Sequence, residues 1–481
     1  MDALNYLDGQ FATAASGEWL DNVEPATGAV YGRVASSDAR DVGLAVCAAA
    51  RAFPAWSSTP ASARSRLLRQ LARLIDRDLE KLARAESIDT GKPISLARSV
   101  DIPRAAANFD FFADAITQWS TECHPMGEVA LNYTLRQPLG VVACISPWNL
   151  PLYLLTWKIA PALAAGNCVV AKPSEVTPMT AALLGALCTE AGLPPGVLNL
   201  IQGLGGKAGA ALCAHRDIRA ISFTGSTRVG GEIARGAAGS FTKVSLEMGG
   251  KNATLIFADA DLDQALDETV RAAFSNQGQI CLCGSRILIE RSIYQSFKVR
   301  LVERVRALRV GDPLEAETEQ GSLVSRAHFD KVLGCIELAR AEGGRVLTGG
   351  KRLPAPPGRR CSEGYFIEPT LIEGLGPSCR SNREEIFGPV ATLQPFDSDQ
   401  EAVELANATR YGLAASLWTR ELKRAHQVSA ALRAGIIWVN CWMLRDLRTP
   451  FGGVKESGVG REGGWDALRF FTEPKNVCVK L

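Results

Sequence analysis

The sequence predicts an α/β protein built on doubly wound parallel sheets. Beyond about residue 140, short apolar runs (Cys168–Ala171, Val197–Ile201, Ala220–Phe223) alternate with helical segments. Right-handed βαβ crossovers demand that order. A second region of the same kind opens at Ala253–Phe257 and runs to about residue 465. The composition agrees: 481 residues, 47% hydrophobic and 22% charged, make an ordinary globular chain. At roughly 150 residues per domain that length holds two large units or three smaller ones.

The first thirty-odd residues read as short strands, punctuated by turn signals at Asp8-Gly9 and Pro25–Gly28. Leu67, Leu71, Leu74, Ile75, Leu79 and Leu82 follow at steps of three and four, the spacing of one apolar helix face. The uncharged stretch between Arg136 and Lys158 is long enough to span a bilayer, but Gly140, Pro147, Asn149 and Pro151 interrupt it. Its first half, Gly140–Ile145, reads as a buried strand, and the stretch is taken as core. Val129–Leu135 and the terminal Val477–Leu481 alternate apolar and polar residues. Each is either an edge strand within its own chain or a strand that completes a sheet in another subunit.

Several function classes fall away. Lysine and arginine total 53 against 51 acids, a net charge of +2, which leaves no electrostatic footprint for nucleic acid or an acidic membrane. The 13 cysteines are scattered, and the Cys281-x-Cys283 pair has no second pair or histidine at zinc-ligand spacing. No metal site is expected, and Cys283 reads as structural. An odd number of cysteines suits a reducing compartment. The start, Met1–Tyr6, lacks the basic and apolar regions of a secretory leader, so a cytoplasmic location is expected. None of the 4 histidines stands in a recognisable catalytic context.

Two glycine-rich turns compete as phosphate cradles. Gly203–Ala208 fits G-x-G-x-x-G/A between a strand and a helix, yet the next strand ends at Ser222–Gly225 without the acid that the fingerprint requires. Gly205 is kept as a candidate on spacing alone. Gly225 and Ser226 occupy the next strand-to-helix turn, where backbone N–H groups and the helix dipole suit pyrophosphate. Lys172–Glu175 ends another strand with a carboxylate suited to ribose hydroxyls. A glutamate there repels a 2′-phosphate, favouring NAD over NADP. Taken singly, each is equally an ordinary turn with a solvated charge.

Chemistry is signalled further on. Asn276–Cys281 places a cysteine after a polar, glycine-containing turn, and Leu246–Asn252 places Glu247 ahead of a glycine pair. A thiolate is an effective nucleophile, and a carboxylate in a cleft can activate water for hydrolysis.

Taken together, the segments Ile145–Pro151, Lys172–Glu175, Phe223–Ser226, Leu246–Gly250, Gly278–Cys281, Glu385–Pro389 and Pro450–Gly453 resemble, in order, the NAD(P)-dependent aldehyde dehydrogenase superfamily. The resemblance implies two doubly wound domains, a Rossmann-variant cofactor domain (1–118 and 140–249) and a catalytic domain (250–465). It adds a small β oligomerisation arm (119–139 and 466–481), and with it a homodimer or homotetramer. It implies that Cys281 attacks the aldehyde, that the Asn149 amide and the Cys281 N–H hold the oxyanion, and that hydride passes to NAD. Glu247 would then activate water to hydrolyse the thioester. Lys172 and Glu175 would hold the adenosine ribose, Trp148, Gly225 and Ser226 would line the pyrophosphate, and Glu385 and Phe387 would flank the nicotinamide. Glu462 matches a second family carboxylate, either a proton-transfer aid or a plain ion pair with Arg461.

The segments Trp148–Lys158, Asn440–Arg448, Asp101–Arg104 and Asn108–Phe112 look like the subgroup that oxidises 2-aminomuconic or 2-hydroxymuconic 6-semialdehyde. Such a small-molecule substrate carries a carboxylate opposite its aldehyde. Arg104 and Arg445 are the expected guanidinium clamp, with Arg448 as the substitute for Arg445. Three rivals stand beside this reading. A CoA-acylating enzyme would not need Glu247, and a non-catalytic scaffold would tolerate loss of Cys281, Glu247 or Asn149. A retinal or aliphatic aldehyde dehydrogenase would want apolar walls where Arg445 stands.

Overall fold

A computed structural model describes residues 2–353 and 360–481. Its two large sheets are the doubly wound sheets expected from the alternating runs. In the first, five parallel strands lie in the order Lys243–Glu247, Ile218–Thr224, Val141–Ile145, Cys168–Lys172, Leu198–Leu200. Antiparallel strands flank them, Gly458–Val459 at one edge and Asn5–Leu7 with Gln10–Ala12 at the other. Chain order runs outward in both directions from the boundary between Val141–Ile145 and Ile218–Thr224. Ligands of open α/β sheets bind at such a switch point, outside the carboxyl ends of the strands.

The second sheet orders parallel strands Thr370–Glu373, Val390–Phe396, Arg286–Glu290, Ala253–Ile256, Ala414–Trp418 and Ile436–Val439, with Arg345–Thr348 antiparallel at its edge. The central strands of both sheets are buried, with only the last residues Ile145 and Glu290 partly exposed, as parallel strands covered on both faces should be. The turns at Asp8-Gly9 and Gly28 adopt the left-handed backbone their residue types favour.

The apolar series from Leu67 to Leu82 is two helices, Ala61–Arg77 and Leu79–Thr90, interrupted at Asp78. The Asp78 N–H still bonds to Leu74 O and its carbonyl still accepts from Leu82, so the break is a bend within one apolar face. The uncharged stretch after Arg136 becomes the strand Val141–Ile145 and the helix Pro151–Ala164, in which every residue is buried. Proline at the first helical turn costs nothing, because that N–H has no intrahelical partner. Among the described residues no helix is long and apolar enough to cross a membrane.

The two alternating segments find each other. Thr472–Lys480 pairs antiparallel with Ala130–Pro138 from Thr472 opposite Pro138 to Lys480 opposite Ala130, and Cys123–Met126 pairs on the far side. Both outer strands of this three-stranded sheet are largely exposed. The terminal strand therefore completes a sheet of its own chain.

Candidate active site

The carboxyl ends of the switch-point strands and the turn before Cys281 converge on one cavity of about 240 Å³. Cys281 is presented by a turn in which Asn276, Gln277 and Gly278 have φ of 51°, 55° and 68°. Two consecutive non-glycine residues in the left-handed region are costly and persist only where surroundings over-determine them. They do so here. Gln277 Nε2 donates to the carbonyls of Gly91 (3.1 Å) and Ser322 (2.9 Å), and Asn276 Nδ2 to Asn149 O at 3.0 Å. A Cβ at Gly278 would stand 2.0 Å from Gly388 O, so only glycine fits. Asn252 Nδ2 fixes the carbonyls of Cys281 and Cys283 at 2.7 and 3.0 Å. Asn149 Nδ2 donates to Gln279 O at 2.8 Å, which orients the amide and leaves its second N–H unused. Burial, reinforced by the Glu385 and Glu247 carboxylates, holds the Cys281 thiol well above its ordinary range. Cys283 is buried with its thiol 3.9 Å from Ser275 O, in keeping with a packing role.

Seven of the expected residues line this cavity together: Trp148, Asn149, Gly225, Ser226, Cys281, Glu385 and Phe387. Ser226 caps the helix Thr227–Ala238, its Oγ accepting from Val229 N–H at 3.4 Å, so the helix N-terminus opens at the cavity. A side chain at Gly225 would meet the Phe223 ring at 2.4 Å. Glu385 Oε1 accepts the Gly250 N–H at 2.9 Å, and a Cβ at Gly249 would collide with the same carboxylate. At the neighbouring strand ends, Lys172 Nζ lies 3.3 Å from Glu175 Oε2, and Gly205 N–H reaches Glu175 Oε1 at 3.4 Å. Lys172, Glu175 and Gly205 thus stand together, apart from the residues that line the cavity. Two carboxylates suited to ribose hydroxyls, with a helix N-terminus at the cavity, fit a dinucleotide.

His328 and Lys331 also line the cavity, and sequence reasoning passed over both. The His328 ring sits 5.0 Å from Trp148, and its Nε2 is 2.6 Å from Phe387 O. Burial lowers its pKa to about 4, so the ring is neutral and Nε2–H donates to that carbonyl. Phe387 has φ 61°, and its carbonyl would otherwise have to find another donor.

Glu247 ends the strand Lys243–Glu247. Both its oxygens are buried and, among the described residues, take no hydrogen bond. Burial first, then the nearby Glu462, raises its pKa well above the carboxylate range. Glu462 does not pair with Arg461, whose Nη1 donates to the Gly453 and Gly460 carbonyls. It accepts instead from Lys158 Nζ at 2.6 Å and Ser222 Oγ at 3.0 Å. Lys158 had a legible signal: a lone charge in an otherwise apolar helix must be paired if that helix is buried.

Arg104 and Arg445 meet around two aromatic rings. Arg104 Cζ lies 5.4 Å from the centroids of both Tyr153 and Trp157. Arg445 Cζ lies 5.5 Å from Trp157 and 4.1 Å from Phe451. Among the described residues, no carboxylate pairs with either guanidinium, and Arg104 Nε, Arg104 Nη2 and Trp157 Nε1 are buried without an acceptor. Arg448 is different. It pairs with Asp446 at 2.6 Å on the exposed side of the same loop, which removes it as the substitute for Arg445.

A doubly wound sheet with a dinucleotide cavity and a cysteine in its lining defines a class, and sequence comparison agrees: the chain belongs to the aldehyde dehydrogenase family, whose pattern matches residues 11–477. Its reaction is oxidation of an aldehyde with NAD as acceptor. Among individual proteins, it is 50% identical to the 2-aminomuconic semialdehyde dehydrogenase of Danio rerio over 478 residues, covering 99% of this chain and 98% of that one. It is 47% identical to the 2-hydroxymuconic semialdehyde dehydrogenase of Pseudomonas sp. (strain CF600), covering 99% of each. The crystal structure of PnpE in complex with nicotinamide adenine dinucleotide superposes with a TM-score of 0.97 at 44% identity, over 100% of this chain and 98% of that one.

Proposed function

We propose that the enzyme oxidises a semialdehyde bearing a carboxylate at its far end: 2-aminomuconic 6-semialdehyde to 2-aminomuconate, with the 2-hydroxy analogue as the alternative substrate. The observation that carries this reading is the set of buried, unsatisfied donors on Arg104 and Trp157 beside Arg445, with no carboxylate among the described residues to meet them. A buried donor without an acceptor costs about 1–3 kcal/mol, which a substrate carboxylate would relieve. The names of the relatives at 50% and 47% identity support the same substrate class. An uncharged retinal or aliphatic aldehyde would leave the buried Arg104 donors without an acceptor.

Cys281 Sγ would attack the aldehyde carbon and form a thiohemiacetal. The free Asn149 amide N–H and the Cys281 backbone N–H would stabilise its oxyanion, commonly the greatest single source of rate enhancement in acyl transfer. NAD, when bound, supplies the acceptor for the hydride that leaves this carbon. The Gly225 and Ser226 turn and the Trp148 wall would seat the pyrophosphate, Lys172 and Glu175 the adenosine ribose, and Glu385 and Phe387 the nicotinamide ribose and ring. Glu247 would take a proton from the water that hydrolyses the thioester, and Glu462 with Lys158 could pass that proton on. An intact Glu247 favours hydrolysis over transfer to CoA.

The substrate reading is tested by NADH formation from freshly generated 2-hydroxymuconic 6-semialdehyde. Arg104→Ala and Arg445→Ala should each raise KM by about tenfold to a hundredfold, with a smaller effect on kcat. Unchanged KM in both variants would remove the clamp.

The exposed three-stranded sheet supports a homo-oligomer. Its two outer strands, Cys123–Met126 and Thr472–Lys480, offer unpaired edges that natural proteins cover. Sedimentation should show a dimer or tetramer for the full chain and a smaller species once residues 472–481 are deleted. A monomeric full chain would end this reading.

A further inference from the structure

Tyr153 and Trp157 lie one turn apart on the helix Pro151–Ala164, so both rings occupy the same face. Both guanidiniums reach this pair. Arg104 lies over the two rings from the helix Ile102–Thr117, while Arg445 comes from the loop after Ile436–Val439 and brings Nη1 to 2.8 Å from the Tyr153 hydroxyl. The frame around Tyr153 is rigid. Asn108, one turn beyond Arg104, donates Nδ2 to Tyr153 O and to Thr156 Oγ1, each at 3.0 Å. That side chain joins the helix carrying Arg104 to the helix carrying Tyr153.

A guanidinium has donors and no lone pair to offer, so in the Arg445–Tyr153 bond the phenol oxygen accepts. The phenol proton remains to be given. Tyr153 is 3% exposed, so bulk water is a poor recipient for it.

We propose that Tyr153 is a specificity-determining residue: its oxygen fixes Arg445, and its own proton is donated to the carboxylate end of the semialdehyde. This rests on the carboxylate clamp proposed above and adds a neutral third donor to it. A carboxylate accepts from two guanidiniums and still has lone pairs for a hydroxyl. An uncharged aldehyde offers that hydroxyl nothing, so Tyr153 acts on the choice between aldehydes rather than on the chemistry at Cys281.

The test is the ratio of kcat/KM for 2-hydroxymuconic 6-semialdehyde to kcat/KM for hexanal, measured on wild type, Tyr153→Phe, Arg104→Ala and Arg445→Ala. Tyr153→Phe removes one oxygen and leaves the ring in place. Its ratio should fall about tenfold, the loss of one hydrogen bond to a charged group. A purely structural tyrosine would lower both rates together, and a ratio within about twofold of wild type overturns the proposal. If the arginine variants lower the ratio and Tyr153→Phe does not, the clamp stands without Tyr153. If none of the three lowers it, the carboxylate reading itself falls.

Discussion

Cys281→Ala should reduce NADH formation to background, a loss of at least about 10⁴-fold, because no other thiol lines the cavity among the described residues. Its side chain makes no hydrogen bond that the turn depends on. Asn252, Gln277 and Asn149 hold the backbone through carbonyls that alanine retains. The variant should therefore fold and still bind NAD, which intrinsic tryptophan fluorescence would register through Trp148. The raised thiol pKa adds a pH signature. A thiol held above its ordinary value of 9.0 gives a thiolate fraction that climbs with every pH unit across the neutral range. Alkylation of the NAD-free enzyme by iodoacetamide should rise steadily from pH 6 to pH 9. A plateau near pH 7 would mean that the resting thiol is already ionised, contrary to its burial beside two carboxylates.

Glu247→Gln should separate the two halves of the reaction. Acylation needs Cys281 and the oxyanion donors, so mixing with saturating NAD and substrate should still release about one NADH per active site. Turnover should then slow by about 10²–10⁴-fold, the usual contribution of a general base. Mass spectrometry of the stalled protein should find the acyl group on Cys281. A burst that slows as much as the steady state would move Glu247 into the acylation step. The raised pKa of Glu247 also sets a direction for the wild type. The carboxylate must lose its proton to act as a base, so the deacylation rate should increase with pH above the range of an ordinary glutamate.

What is legible in the sequence divides by distance along the chain. The cysteine turn, the Glu247 strand end and the Gly225-Ser226 turn are local motifs; Cys281, Gly225 and Ser226 line the cavity, while Glu247 ends its strand beside Met248 and Gly249, which do. The sheets were legible because buried parallel strands write continuous apolar runs. The partners of Lys158, Trp157 and His328 were not. Lys158 meets Glu462 across 304 positions of sequence, and no periodicity announces such a pairing. His328 reads as an ordinary helix residue until the Phe387 carbonyl arrives from 59 positions away. Gly205 was kept on glycine spacing alone, and its N–H donates to Glu175 Oε1 at 3.4 Å. The choice between Arg445 and Arg448 turned on a single exposed ion pair with Asp446, a matter of side-chain direction that two nearby arginines in a sequence do not reveal.

The helix Pro151–Ala164 carries Tyr153, Trp157 and Lys158 while every one of its residues is buried. Successive positions on it therefore serve unrelated duties, a ring beneath the Arg104 and Arg445 guanidiniums at Trp157 and the counter-ion of Glu462 at Lys158. Such a helix has little freedom to drift. Arg445 instead sits on a partly exposed loop between Asn440 and Thr449, in which Leu444, Asp446 and Arg448 are exposed and Trp442 alone is buried. A lineage changing its diet of aldehydes would find its easiest first step in that loop and meet resistance in the helix. Selection for new substrates in the laboratory should recover changes at position 445 and its neighbours long before any at 153 or 157.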